Sequence, residues 1–107
     1  MNPLPPESRD RLPVEISRDL EDIVPIFLAN RKKDLLTLRV ALTEQDFRTI
    51  QNLGHRMKGD GGGFGFDRIS EIGAALELAA QRHDRSIVDQ HIAQLEDFLH
   101  RVTITYR

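Results

Sequence analysis

Cysteine and tryptophan are absent from this chain, and tyrosine occurs once. Without cysteine there is no disulfide framework and no thiolate metal site, and nothing argues for an oxidising compartment. Five phenylalanines are the only other aromatics, so the core must be built mainly from Leu, Ile, Val and Ala. An excess of one charge is missing too: 15 Lys and Arg stand against 17 Asp and Glu, a formal net charge of −2. That balance supplies no electrostatic footprint for nucleic acid. No apolar run approaches the roughly 20 residues of a membrane span, and the N-terminus lacks a basic-then-apolar signal pattern. What remains is 107 residues, 39% hydrophobic and 30% charged. This is ordinary globular composition for a single domain, expected in the cytoplasm with neither a membrane nor a nucleic acid as partner.

Proline is nearly confined to one place. Four of the five lie in "MNPLPPESRDRLP", where apolar periodicity is absent and backbone N–H donors are missing. This predicts a flexible Pro-rich tail over 1–14 and a folded domain over 15–107. From there the spacing is helical. A segment over 16–42 carries Leu20, Ile23, Phe27, Leu28, Leu35, Leu38 and Leu42, with Pro25 predicting a lead-in turn or kink before a long helix. Thr43, with Asp46 three residues on, predicts the cap of a second helix over 44–62, which gathers Phe47, Ile50, Leu53, Gly54 and Met57 on one side. Asp67 predicts the cap of a third, over 68–83, with Ile69, Ile72, Gly73, Leu76 and Ala80 in register. Asp84 or Ser86 caps a fourth, over 86–105, through Ile87, Val88, Ile92, Leu95, Phe98, Leu99 and Val102. Short connections between long amphipathic helices make antiparallel neighbours. The fold class is therefore all-α, an antiparallel up-down four-helix bundle with a short N-terminal lead-in helix or tail. No run shows sustained strand alternation, although "RVTITYR" at the C-terminus is β-prone by composition.

All seven glycines fall between Gly54 and Gly73, around one histidine. On a helical projection the apolar stripe of the second helix is centred roughly 140° from His55, so the imidazole points away from the core. Gln51 and Gly62 lie to one side of it, Arg48 and Gly59 to the other, and Lys58 about one turn along. A helix continued through Gly63 gives up about 1 kcal/mol per glycine relative to alanine, a loss that close approach of another surface would explain. The competing reading ends the helix near Lys58 and makes 59–65 a flexible loop, the usual place for a glycine run.

A solvent-facing imidazole is substantially neutral at cytoplasmic pH and keeps a nucleophilic nitrogen. Lys58 adds a cation for an incoming phosphoryl group. Independent catalysis does not fit: no carboxylate is evident to orient the imidazole, and no oxyanion donors or metal cluster are evident either. The lysine of "KGDGGGFG" precedes its glycines, which excludes a nucleotide-binding P-loop. His83, His91 and His100 are eight and nine residues apart, not the i, i+4 spacing of a helical metal pair, and read as surface or packing histidines. The run Arg31, Lys32, Lys33, Asp34 reads as a solvated helix face.

The segment "HRMKGDGGGFGF", followed by an apolar-periodic helix reaching Leu76 and Glu77, resembles the histidine-containing phosphotransfer domains of multistep His-to-Asp relays. Their pattern is His-x-(apolar)-Lys-Gly, small residues, then Gly before the next helix. The resemblance covers about residues 20–105 and is sharpest at His55, Met57, Lys58, Gly59 and Gly65. It implies a four-helix bundle whose active helix continues through the glycines. His55 would accept a phosphoryl group from a receiver's aspartyl phosphate and pass it to another receiver's aspartate. Lys58 would contact the phosphate, and Gly59 would leave room for the acidic receiver pocket. The docking surface implied comprises Arg48, Gln51, Asn52, Arg56, Gly59 and Gly62. The partners implied are receiver domains of response regulators and of a hybrid sensor histidine kinase, with no cofactor, no metal and no enzymatic activity of its own. With Met1 as the natural start, a free-standing monomeric shuttle is expected. Asp60 and the glycines at 61 to 63 depart from the usual small Ser or Ala. Asp60 projects about 140° from His55, so direct repulsion of the phosphoryl group should be weak. A second class of function also fits the residues: a non-catalytic helical module that binds a receiver or kinase without phosphate exchange.

Overall fold

The computed structural model describes residues 11–107, and the Pro-rich stretch 1–10 assigned to the tail lies outside them. A strand, β1 (Leu12–Ile16), leads through a short 3-10 turn at Arg18–Leu20 into four helices. These are α1 (Val24–Thr43), α2 (Phe47–Gly63), α3 (Asp67–Gln81) and α4 (Arg85–Arg101), and a second strand, β2 (Val102–Tyr106), closes the order. Each helix packs on its neighbours in sequence, and α4 closes the bundle against α1. Pro25 sits in the first turn of α1, where its missing N–H has no partner to lose.

The three helix connections share one design. Gln45, Gly65 and His83 each adopt positive φ, at 57°, 86° and 53°. The next residue then donates its amide back across the turn, from Asp46 to Ala41, Phe66 to Gly61 and Asp84 to Ala79. These are Schellman closures, which satisfy the last carbonyls of one helix while reversing the chain. Asp46 and Asp84 at once serve as N-caps of the following helices, accepting from the amides of Thr49 and Ile87 at 3.1 and 3.2 Å.

Several boundaries therefore differ from those the sequence suggests. Thr43 does not cap α2; it ends α1, and its hydroxyl donates to the Arg39 carbonyl at 3.1 Å. Asp67 is the first residue of α3 rather than its cap, a position held by Phe66 without a side-chain bond. Of the two candidates at α4, Asp84 is the cap. Ile23, assigned to the core, precedes α1 and is 42% exposed, while Val24 is buried in its place.

The larger correction concerns the chain ends. Leu12–Ile16 and Val102–Tyr106 form a parallel two-stranded sheet, in register from Leu12 with Val102 to Ile16 with Tyr106. The end of the assigned tail is thus hydrogen-bonded, and α4 stops at Arg101 instead of near 105. Leu12, Val14 and Ile16 alternate inward with Pro13 and Glu15 outward, a half-buried strand pattern that is too short to stand out beside the prolines. Val102, Thr103, Ile104 and Thr105 are β-branched, and such residues lose side-chain freedom in a helix. Ile16 is 1% exposed. It belongs to one continuous core with residues of all four helices, including Leu38, Ile50, Met57, Leu76 and Ile92.

An aromatic cluster seals the end of the bundle that receives this sheet. Phe27 of α1 stacks on Phe64 and Phe66 with centroids 4.5 and 5.3 Å apart, and Phe66 meets the edge of Phe98 at 6.3 Å. The cluster anchors the turn after α2 and so fixes where that helix stops. Among the described residues no helix is long and apolar enough to cross a membrane.

Candidate functional site

Helix α2 runs unbroken through Gly63, so the glycine run is helical and not a loop. Ile50, Leu53, Gly54, Met57 and Gly61 are its buried positions, and His55 stands off that stripe with its side chain 71% exposed. The glycines serve three different purposes. A Cβ on Gly54 would lie 2.7 Å from the Glu77 amide nitrogen and 2.7 Å from the Gly73 carbonyl. One on Gly73 would lie 2.5 Å from the Lys58 nitrogen, and one on Gly61 2.6 Å from that of Ser70. These three let the backbones of α2 and α3 touch. Gly65, at φ +86°, makes the turn. Only Gly59, Gly62 and Gly63 open onto empty space, and they lie past the imidazole along the same helix.

Close approach of α3 brings a residue that sequence reasoning missed. Glu77 Oε2 lies 2.8 Å from His55 Nδ1, and its Oε1 lies 3.7 Å from Lys58 Nζ. The expectation that no carboxylate orients the imidazole is therefore wrong. Glu77 is 22 residues from His55, on another helix, and no local spacing joins them. The available signal was Gly73 four residues earlier, a small residue that marks the contacting face of α3. With 18% of its side chain exposed, Glu77 is held between the helices while the groups it touches face outward. The Ser70 hydroxyl donates to the Lys58 carbonyl at 2.6 Å, a second tie between α3 and this turn of α2.

The structure brings Lys58 and His55 together through this shared carboxylate. Arg48, Asn52, Arg56, Gly59 and Gly62 are exposed around them on α2, and Gln51 is half-buried. Asp60 turns away from His55, with its carboxylate 3.7 Å from Arg31 Nη1. Arg31 and Asp34, assigned to a solvated face, are instead only 12% and 16% exposed and lie 3.0 Å apart. Arg31 packs over the Phe27 ring at 4.8 Å, because the aromatic cluster offers its long side chain a surface. The other histidines stay apart: His83 stacks on Phe47 at 4.7 Å, and His91 Nδ1 lies 3.0 Å from Gln94 Oε1. Among the described residues no group of three or more His, Asp or Glu is placed to hold a metal ion.

The arrangement is an exposed imidazole on an open helix face, backed by a carboxylate and flanked by a cation. Such a site suits chemistry completed by a second macromolecule. Comparison with known protein families agrees: residues 22–103 match the Hpt domain, and the chain belongs to that family. Hpt domains carry out histidine phosphotransfer in phosphorelays, interact with receiver domains, and are generally not independent enzymes. No curated protein and no solved structure matches the chain.

Proposed function

We propose that His55 is the phosphoacceptor of this domain, taking a phosphoryl group from an aspartyl phosphate on one receiver and giving it to the aspartate of another. The observation that carries this reading is an imidazole 71% exposed on the helix of an Hpt domain, with bare glycines at 59 and 62 beyond it. Lys58 contacts the phosphoryl oxygens, a charge-assisted interaction. Arg48, Gln51, Asn52, Arg56, Gly59 and Gly62 form the surface on which the receiver settles. The partners are receivers of response regulators and of a hybrid sensor histidine kinase, met by the domain as a cytoplasmic monomer.

The test uses a purified receiver carrying labelled aspartyl phosphate. Wild-type protein gains acid-labile label, and His55→Gln gains none. Lys58→Ala is labelled at the same site roughly tenfold more slowly, the loss of one charge-assisted contact at an exposed position. Label on His55→Gln equal to that on wild type refutes the assignment.

A further inference from the structure

On a different helix from the histidine, α1 turns a second apolar face to solvent. Leu36 and Val40 are 69% and 58% exposed and stand one helical turn apart, so their side chains adjoin. Beside them runs a groove of about 400 Å³, walled by Thr37 and Ala41 of α1 and by Asp46 and Thr49 of α2. The outer face of α4 is different, carrying exposed Asp89, Gln90, Gln94, Asp97 and His100. Exposed apolar groups gathered beside a groove, rather than scattered singly, mark a contact surface.

The charges at the two ends of this patch point to its occupant. Lys33 lies three residues before Leu36 and Glu44 four residues after Val40, both exposed on the same face, and neither has an ion-pair partner among the described residues. On the opposite flank of α1 the charge is already matched: Arg39 meets Asp89 and Glu96 of α4 at 3.7 and 2.6 Å. Along the helix the patch therefore reads positive, apolar, apolar, negative. A second copy laid antiparallel, about a twofold axis midway between Leu36 and Val40, sets Leu36 on Val40 twice and Lys33 against Glu44 at both ends. A parallel copy would oppose Lys33 to Lys33 and Glu44 to Glu44, so the charges select one orientation.

We propose that the outer face of α1 is a self-association surface, on which two copies of this chain pair antiparallel through Leu36 and Val40. From Lys33 to Glu44 the patch is about 16 Å long and one helix, about 10 Å, wide, well short of the roughly 800 Å² per partner that a stable interface covers. The pair is accordingly weak, with a dissociation constant on the order of 100 µM, and a receiver meets the separated monomer. Pairing holds whichever residue carries the phosphoryl group.

Sedimentation velocity of the full chain from about 5 to about 500 µM brackets that constant. The mean mass of wild type rises from 12.2 kDa toward twice that value. Leu36→Glu, whose helix content by circular dichroism matches wild type because the position is exposed, stays at 12.2 kDa throughout. Lys33→Glu and Glu44→Lys each raise the dissociation constant at least about fivefold, and together they return it to within about twofold of wild type, since the charges are exchanged rather than lost. Wild type that remains monomeric at the highest concentration overturns the proposal, and so does Leu36→Glu that pairs as wild type does. A double variant no better than the single ones overturns the antiparallel arrangement. Should wild type stay monomeric while Leu36→Glu binds a phosphorylated receiver more weakly, the face belongs to the receiver and the proposal falls.

Discussion

Gly73→Ala isolates the contact on which the site depends. Its new Cβ would stand 2.5 Å from the Lys58 nitrogen, 2.7 Å from the Gly54 carbonyl oxygen and 2.9 Å from the Met57 carbonyl carbon. Ordinary contact begins near 3.4 Å, so α2 and α3 must part by about 0.9 Å. All three obstacles are backbone, and drawing α3 away would loosen the packing of Ile69, Ile72 and Leu76, which share the buried stripe with Gly73 and are at most 1% exposed. Two terms compete. Alanine gains about 1 kcal/mol of helix propensity over glycine, while overpacking costs about 1–3 kcal/mol. With three backbone contacts below 3 Å the cost lies at the upper end, near ~3 kcal/mol, and the net is a destabilisation of about 2 kcal/mol. For a domain of this size that lowers Tm by roughly 10 °C. Gly59→Ala is the control. Nothing lies within 4 Å of its Cβ, so only the propensity gain applies, and stability rises by up to about 1 kcal/mol. Urea unfolding followed by far-ultraviolet circular dichroism gives both differences. A Gly73→Ala midpoint at or above wild type refutes the packing argument, and so does a Gly59→Ala midpoint well below it.

Two further outcomes follow from the ends of the elements. Asp46 accepts from the Thr49 hydroxyl at 2.6 Å and from the Thr49 amide. These bonds, the hydroxyl first, then the amide and more weakly the Arg48 charge, hold its carboxyl below the ordinary value. A depressed carboxyl stabilises the fold above its unfolded-state pKa and loses that contribution as pH falls through the folded-state value. Asp46→Ala should therefore lower the urea midpoint at neutral pH and converge toward wild type in strong acid. A gap unchanged by acid would remove the charge from the explanation. Ile16→Ala, at a position 1% exposed, should lose about 2–4 kcal/mol in the same assay. A loss under about 0.5 kcal/mol would return β1 to the status of a dispensable tail.

Much of the bundle is legible locally because each helix carries its own evidence. Ile50, Leu53, Gly54 and Met57 recur at helical spacing, and all are buried. The same projection places His55 outward with no knowledge of what α2 packs against. Helix α1 is harder to read. Ile26, Leu36 and Val40 are 62%, 69% and 58% exposed, so apolar residues occupy both of its faces and periodicity alone does not choose between them. The positive φ at Gln45 was equally hidden, since glutamine does not advertise a left-handed turn, whereas His83 is of a type enriched at positive φ.

Residue order along single elements determined the four helices, three of them clearly amphipathic, the outward histidine and its lysine, and the resemblance through which the chemistry was recognised. These depend on the fixed period of a helix, a property of neighbouring residues. Tertiary structure decided everything that joins distant positions: the parallel strand pair from the two ends, the reach of Arg31 to Asp60, and the placing of Glu77 on His55. A strand needs a partner for its backbone hydrogen bonds, and a carboxylate reaches an imidazole on another helix only at one crossing distance. That distance was set here by three glycines whose missing side chains have meaning only when the two helices are brought together.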